Sequence, residues 1–434
     1  MIKMTKKKKL TYLFIIIILL AVGIGLWVKH TQTRERTLTI GIYTGSSWDV
    51  PSGKPYHMID YTIKKFKKEH PHTIIKYESG IRREDYRNWL SEKIIEEQMP
   101  DLVIVPSHDF NLLASEGAFK NVGPMMSRDK ISSNEFYHSA LEAGQYKKKQ
   151  LALPYEANPT LMVMNKTLLS KLKLRSPNEN WTPEKFYQTC HKVSHSNSGK
   201  KYYGVTSNYN WQDAQLAYGN QLFSKDDNKL QLTSSKAHDG FSLTENLTND
   251  VALRNVTSQL FDEGKVAFMP LGLAQYRTYT SYPYYITRDN SFRWGCTKMP
   301  GIKAAKSTPM PTTLFAISSK AKNPGAAWQF MKLLCADKDV QQELMKTNMG
   351  SSVLPSVVKS KKTQNILDKE LIDHRNLAVK KLDVITKNGA VTPKFKDYND
   401  KLDELDYKIQ NALKAGNLET QLFNIQSQVN QSIS

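Results

Sequence analysis

Between residues 38 and 105 the chain switches repeatedly between two hydrophobic periods, and few folds accommodate that pattern. Residues 38–43 (LTIGIY) read as a buried strand. Residues 57–69 then place Ile59, Ile63 and Phe66 on one helical face, until His70-Pro71 stops the helix. Residues 73–77 are β-branched and strand-like. Residues 84–97 stack Tyr86, Leu90 and Ile94 at four-residue spacing, Pro100 punctuates them, and residues 102–105 (LVIV) form a third strand. Strand, helix, strand, helix, strand predicts parallel pairing through right-handed crossovers, hence an α/β fold. Ligands on such sheets bind beyond the carboxyl ends of the strands, where two loops lie: residues 44–54 and 107–110.

The N-terminus stands apart from this fold. Lys3 and Lys6 to Lys9 precede an uncharged apolar run, residues 10–28, that ends at Lys29. A run of this length can cross a bilayer as one helix. We therefore expect residues 1–36 to be a membrane anchor with basic flanks, Trp27 at the interface, and the bulk of the chain outside the cytoplasm. The competing reading is a cleaved secretory signal, with Ala21-Val22-Gly23 at cleavage-like spacing, which would release the protein.

Charge and special chemistry exclude several functions. The formal net charge is +20, but the first 30 residues contribute six lysines and no acid. The other lysines are dispersed in pairs and triplets, such as Lys64-Lys65 and Lys147 to Lys149, without the aromatic–basic pattern of a nucleic-acid binder. Cys190, Cys296 and Cys335 lack metal or redox spacing and read as buried thiols, one disulfide plus a free thiol being the alternative. His191 and His195 share a helix face, yet no carboxylate completes a metal set. No phosphate-binding loop or hydrolase motif occurs, so no cofactor is expected.

Several motifs recur in a definite order. Residues 100–117 read PDLVIVPSHDFNLLASEG, and residues 151–167 read LALPYEANPTLMVMNKT. Residues 181–184 (WTPE) open a helix: Thr182 can cap it, Pro183 suits its first position and Glu184 its first turn. FDEGKVAFM at 261–269, MPG at 299–301, NPGAAWQFMKLL at 323–334 and GSSVLP at 350–355 follow. Together these resemble the extracellular solute-binding proteins of ABC importers, the maltose-binding-protein-like family that captures sugars and oligosaccharides. The resemblance runs from Leu38 onward. Met164 stands where the family usually has tyrosine, and residues 308–313 (TPMPTT) replace a Gly-rich stretch. Binding proteins of Gram-positive bacteria usually carry a lipidated cysteine after the signal, and none occurs here, which leaves the helix as the tether.

The resemblance implies a two-lobed periplasmic-binding-protein-like fold of type II. It assigns residues 37–153 and 270–313 to lobe 1 and residues 154–269 and 314–434 to lobe 2, with hinges near Leu153, Phe268 and Leu314. Residues 397–428 are expected to be helical and mostly solvated. The implied function is a non-enzymatic, monomeric substrate-binding component that delivers a carbohydrate to permease subunits in the membrane. A tethered sensor working with a receptor kinase and an extracellular glycan hydrolase are the alternatives.

Sugar sites pair aromatic faces with planar hydrogen-bonding groups. The candidates are Trp48 and Asp49 after the first strand, Asp109 and Phe110 after the third, Glu156 and Asn158 at the crossing, the run Tyr209, Asn210, Trp211 and Gln212, and Tyr276 after the return crossing. Trp48 could instead pack on its own lobe, Asp109 could cap a helix, and Glu156 could make an interlobe hinge bond. A hydrolase would need a carboxylate pair such as Asp109 and Glu156. Trp181, Trp294 and Trp328 are expected in cores.

Overall fold

The computed structural model describes residues 36–51, 54–196, 199–224, 228–250, 256–280, 292–370 and 377–432. The apolar run 10–28, with Trp27, lies outside the described residues. Among the described residues no helix is long and apolar enough to cross a membrane.

Six strands precede the first crossing: β1 (Arg36–Gly41), β2 (Thr73–Tyr77), β3 (Leu102–Val105), the hairpin β4 (Gln145–Tyr146) and β5 (Lys149–Gln150), and β6 (Ala152–Ala157). Six follow it: β7 (Thr160–Asn165), β8 (Tyr203–Val205), β9 (Val266–Gly272), β10 (Trp294–Thr297), β11 (Thr312–Ile317) and β12 (Ser351–Ser352). A large sheet has the order β12-β6-β11-β3-β1-β2, and a smaller one β10-β7-β9-β8. As the alternating periods require, β1 pairs in parallel with both β2 and β3, setting Leu38 against Ile75 and Ile40 against Leu102. The intervening helices His57–Glu69 and Tyr86–Ile95 occupy the expected segments. Tyr86, buried on its helix, donates to the carbonyls of Gly41 and Ile104 at 3.0 and 2.9 Å, tying the helix to the ends of β1 and β3.

The later crossings differ from the expectation. β11 is buried along its whole length and lies antiparallel between β3 and β6 in the large sheet, and β12 adds to the same sheet. Helix Pro324–Ala336 packs on this sheet and on helix His57–Glu69. Helix Val379–Lys387 packs on helix Pro355–Val358, and its Asp383 accepts a 2.9 Å bond from Tyr137. Lobe 1 therefore regains the chain from β11 to about residue 390, whereas β9 and β10 belong to lobe 2. The assignment of 270–313 to lobe 1 and of everything after 314 to lobe 2 is corrected accordingly. An apolar strand declares in sequence that both of its faces are covered, but not by which sheet.

The hinge positions shift for the same reason: Leu153, Phe268 and Leu314 sit inside β6, β9 and β11. The chain crosses instead at Asn158-Pro159, at residues 309–311 and at residues 389–397. Asn158 N–H donates to Pro311 O (2.9 Å) and Thr160 N–H to Pro309 O (2.8 Å). Thr308 exchanges backbone bonds with Asn388 and Ala390, at 3.2 and 2.8 Å. The proline-rich TPMPTT segment is thus one strut of the joint, stiffened by fixed φ angles.

Helix Pro183–Ser194 begins as anticipated, with Thr182 Oγ1 accepting from Lys185 N–H. Trp181, Trp294 and Trp328 are buried, as are the three free thiols. The C-terminal stretch is not mostly solvated. Helices Tyr398–Ala415 and Leu418–Gln431 fold back at Gly416, whose φ of +67° suits the residue without a Cβ. Leu405, Ile409, Leu422 and Val429 close a core with Trp211, Phe223 and Phe241. Asn430 and Gln426 accept the N–H groups of Leu230 and Leu232 at 2.7 and 2.6 Å. Because these helices complete the second lobe, Ile409→Ala should lower stability to chemical denaturation by about 2–5 kcal/mol. Phe423→Ala, at a side chain left 73% exposed, should change it by less than about 0.5 kcal/mol.

Candidate functional site

Between the lobes lies a cleft of about 1090 Å³. Lobe 1 contributes Ser107 and His108 from the loop after β3, together with His138 and Glu142 from helix His138–Ala143. The loop after β3 is where the sheet topology places a ligand site. Lobe 2 contributes Asn208, Asn210, Gln212, Asp213 and Gln221, and the crossings supply Thr160, Pro309 and Pro311. The C-terminal segment closes one end with Lys394 and Asn399.

The second-lobe wall is built around the start of helix Trp211–Ala217. Asn210 caps that helix by accepting from Asp213 N–H (3.0 Å), and Asp213 Oδ2 accepts from Asn210 N–H (3.2 Å). Burial pushes the Asp213 carboxyl up to about 7, against the pull of that backbone bond. Opposite, burial draws Lys394 down to about 8, while Glu142 acts the other way. The ammonium donates to Ala143 O at 2.9 Å and lies 5.1 Å from the centre of the Phe110 ring. At neutral pH Asp213 is therefore only partly ionised while Lys394 keeps most of its charge, and the second-lobe wall speaks mainly through amides. An amide side chain both donates and accepts, as a hydroxyl does.

Of the candidates, Asn210 and Gln212 are part of this lining and the other nine side chains are not. Trp48 is buried, its carbonyl accepting from Gln275 of the second lobe at 2.8 Å, and its indole N–H points toward Glu156 without reaching hydrogen-bonding geometry. Asp49 is exposed at a positive φ of 51° and pairs with Arg83. Asp109 holds the N-cap position of helix Phe110–Ser115 but makes no cap bond, and pairs with Arg87 instead. Phe110 is buried against Phe119. Glu156 is buried and accepts from Asn348 Nδ2 (3.0 Å) and Gly350 N–H (2.8 Å), a turn of its own lobe. Asn158 braces the crossing by accepting from Ala274 N–H at 2.8 Å. Tyr209 packs on Phe186, and Tyr276 sits edge-on to Trp294. Trp211 is a core residue whose indole N–H donates to Asp406 of the C-terminal helix at 2.6 Å.

The misses share one cause. In SHDF and NYNWQD the ring is the most hydrophobic group, so it turns inward, and its polar neighbours Ser107, His108, Asn208, Asn210 and Gln212 face the cleft. Asn210 and Gln212 are thus candidates that do line the cleft, whereas Ser107, His108 and Asn208 were passed over for the rings and the carboxylate beside them.

One element went unnoticed entirely. Arg277, on helix Leu273–Thr280 after β9, is 1% exposed. Its guanidinium donates to Glu370 (2.9 and 2.5 Å) and to the carbonyls of Met345, Asn348 and Gly350 (2.8 Å each), all in lobe 1. Glu156 grips the same 348–350 turn from the other side, and burial raises its carboxyl above the usual range while Asn348, Gly350 and Arg277 oppose the rise. Nothing in the sequence sets this arginine apart from other basic residues.

Two predictions follow from these groups. Arg277→Met should cost about 3–5 kcal/mol in chemical denaturation, because Glu370 and three buried carbonyls lose their donor. The second concerns pH. Asp213 has a folded pKa of about 7 against an ordinary 3.8, so the folded chain retains a proton that the unfolded chain releases. Its stabilising contribution is full below 3.8 and is lost as pH rises through about 7. Asp213→Asn should flatten that part of the stability-versus-pH curve, which melting measured across the range would reveal.

Comparison with known proteins places this geometry. The sugar-binding protein MalE of Xanthomonas citri is 14% identical, with 91% of this chain and 96% of that one aligned at a TM-score of 0.76. The cyclic alpha-maltosyl-1,6-maltose binding protein of Arthrobacter globiformis is 15% identical, covering 91% and 97% at 0.73. An ABC substrate-binding protein of Listeria monocytogenes, solved with cycloalternan, is 19% identical, covering 92% and 99% at 0.66. At these identities the likeness establishes the two-lobed α/β fold. No curated protein matches the chain in sequence. The family model for bacterial extracellular solute-binding proteins matches residues 62–369, and the chain belongs to that family.

Proposed function

We propose that the protein is the substrate-binding component of an ABC transporter, capturing an oligosaccharide between its lobes and delivering it to permease subunits. The observation that carries this reading is the interlobe cleft. Its volume of about 1090 Å³ lies just above the range of small-molecule sites, roughly 300–1,000 Å³, which suits several sugar units better than one. Its amide-rich wall matches ligands whose polar groups are neutral hydroxyls. The relatives solved with or named for cycloalternan and cyclic alpha-maltosyl-1,6-maltose point to the same ligand class. The carboxylates considered for hydrolysis, Asp109 and Glu156, are committed to Arg87 and to the 348–350 turn, so the site supports binding and not turnover. The apolar run 10–28 fits a tether that keeps the monomer beside its permease.

Capture proceeds by closure about the three crossings. Ligand bound to one wall gains contacts with the other only when the lobes approach, and that difference in affinity drives the closed state. A thermal-shift screen of the full-length protein against linear and cyclic neutral oligosaccharides tests the reading. Ligand at 100 times its Kd adds about 2.7 kcal/mol to folding stability, so a clear rise in Tm is expected with one glycan class. Unchanged melting with every glycan would remove the saccharide assignment.

A further inference from the structure

The cleft holds two carboxylates among its described lining residues, Glu142 and Asp213. Glu142 is paired with His138 at 3.3 Å. Asp213 is different: it is 7% exposed, and its single bond is the 3.2 Å one that Oδ2 accepts from Asn210 N–H. No basic side chain among the described residues pairs with it, and its Oδ1 has no partner there. Its neighbours cannot help. Asn210 Oδ1 is spent on the helix cap, Asn220 Nδ2 donates to Gln215 Oε1 at 2.7 Å, and Gln215 Nε2 donates to Ala237 O at 3.1 Å. A carboxylate withdrawn from water with one neutral donor is poorly compensated. A donor brought by the ligand removes that deficit.

We propose that Asp213 is a specificity-determining residue of the cleft: its unpartnered carboxylate oxygen accepts a hydroxyl hydrogen of a neutral sugar unit. The inference rests on the saccharide reading of the cleft. The amides Asn208, Gln212 and Gln221 orient the rest of the chain.

The test is isothermal titration of the full-length protein and its Asp213→Asn and Asp213→Ser variants with maltodextrins, cello-oligosaccharides, oligogalacturonates and glucosamine oligomers. Both variants keep an oxygen for the Asn210 cap, and Tm measured alongside identifies any that fails to fold. The unmodified protein is expected to bind one of the neutral series. Each folded variant should bind that glycan about 10- to 100-fold more weakly, the loss expected for a hydrogen bond to a charged group. Unchanged affinity in the folded variants, or preference for a charged series, would overturn the role of Asp213 while leaving a saccharide trap. If the unmodified protein binds no glycan at all, the saccharide reading fails and this inference falls with it.

Discussion

The joint between the lobes depends on one buried cation. Arg277 belongs to the second lobe by sequence and packing, yet the described acceptors of its guanidinium, Glu370 and the carbonyls of Met345, Asn348 and Gly350, belong to the first. A guanidinium keeps its charge under all ordinary conditions, so enclosing it demands a complete set of acceptors. That demand fixes the turn 348–350, which must present two carbonyls to Arg277 while Asn348 Nδ2 and Gly350 N–H serve Glu156 on β6. Gly350 is required there: a Cβ would meet Glu156 Oε1 at 2.3 Å. Cation, turn and anion form a sandwich that joins the end of the large sheet to the helix following β9.

Other ties gather on the same helix. Asn158 accepts from Ala274, and Gln275 donates to Trp48. The cleft can consequently be wide and polar without separating the molecule, because cohesion between the lobes lies at the joint. This also explains why Trp48, Glu156 and Asn158 looked like ligand residues. They carry the side-chain types of a sugar site and lie near the interlobe junction, but they serve the junction itself.

What was legible in the chain was local. Residues 57–69, 73–77 and 102–105 occupy the elements expected of them, because apolar period and proline breaks act over a few residues. The partner of β11 was not legible, since strand pairing is decided by distant segments. The C-terminal helices show the intermediate case: their apolar stripe of Leu405, Ile409 and Leu413 was visible, but the abundant charges on the other faces suggested solvent. In the site, residue types were recognised at the right loops and assigned the wrong direction. Burial claimed the rings of Phe110, Tyr209 and Trp211 and left their polar neighbours to the cleft.

Net charge likewise misleads about the site. The excess of basic residues over the whole chain suggests an acidic ligand, but exposed lysines are screened within about 8–10 Å at physiological salt. The groups that meet a ligand are mainly amides, with Asp213 and Lys394 shifted by burial and Lys306 and Lys387 at the margin. Closure must draw its free energy from such groups. The donors of Arg277 and the amide of Asn158 are already satisfied at the joint, so the lobes gain no new bond from them by approaching. Only a ligand that satisfies both walls offers a difference between open and closed states. A saturated joint and an unsatisfied cleft are two halves of one device, in which closing is made conditional on capture.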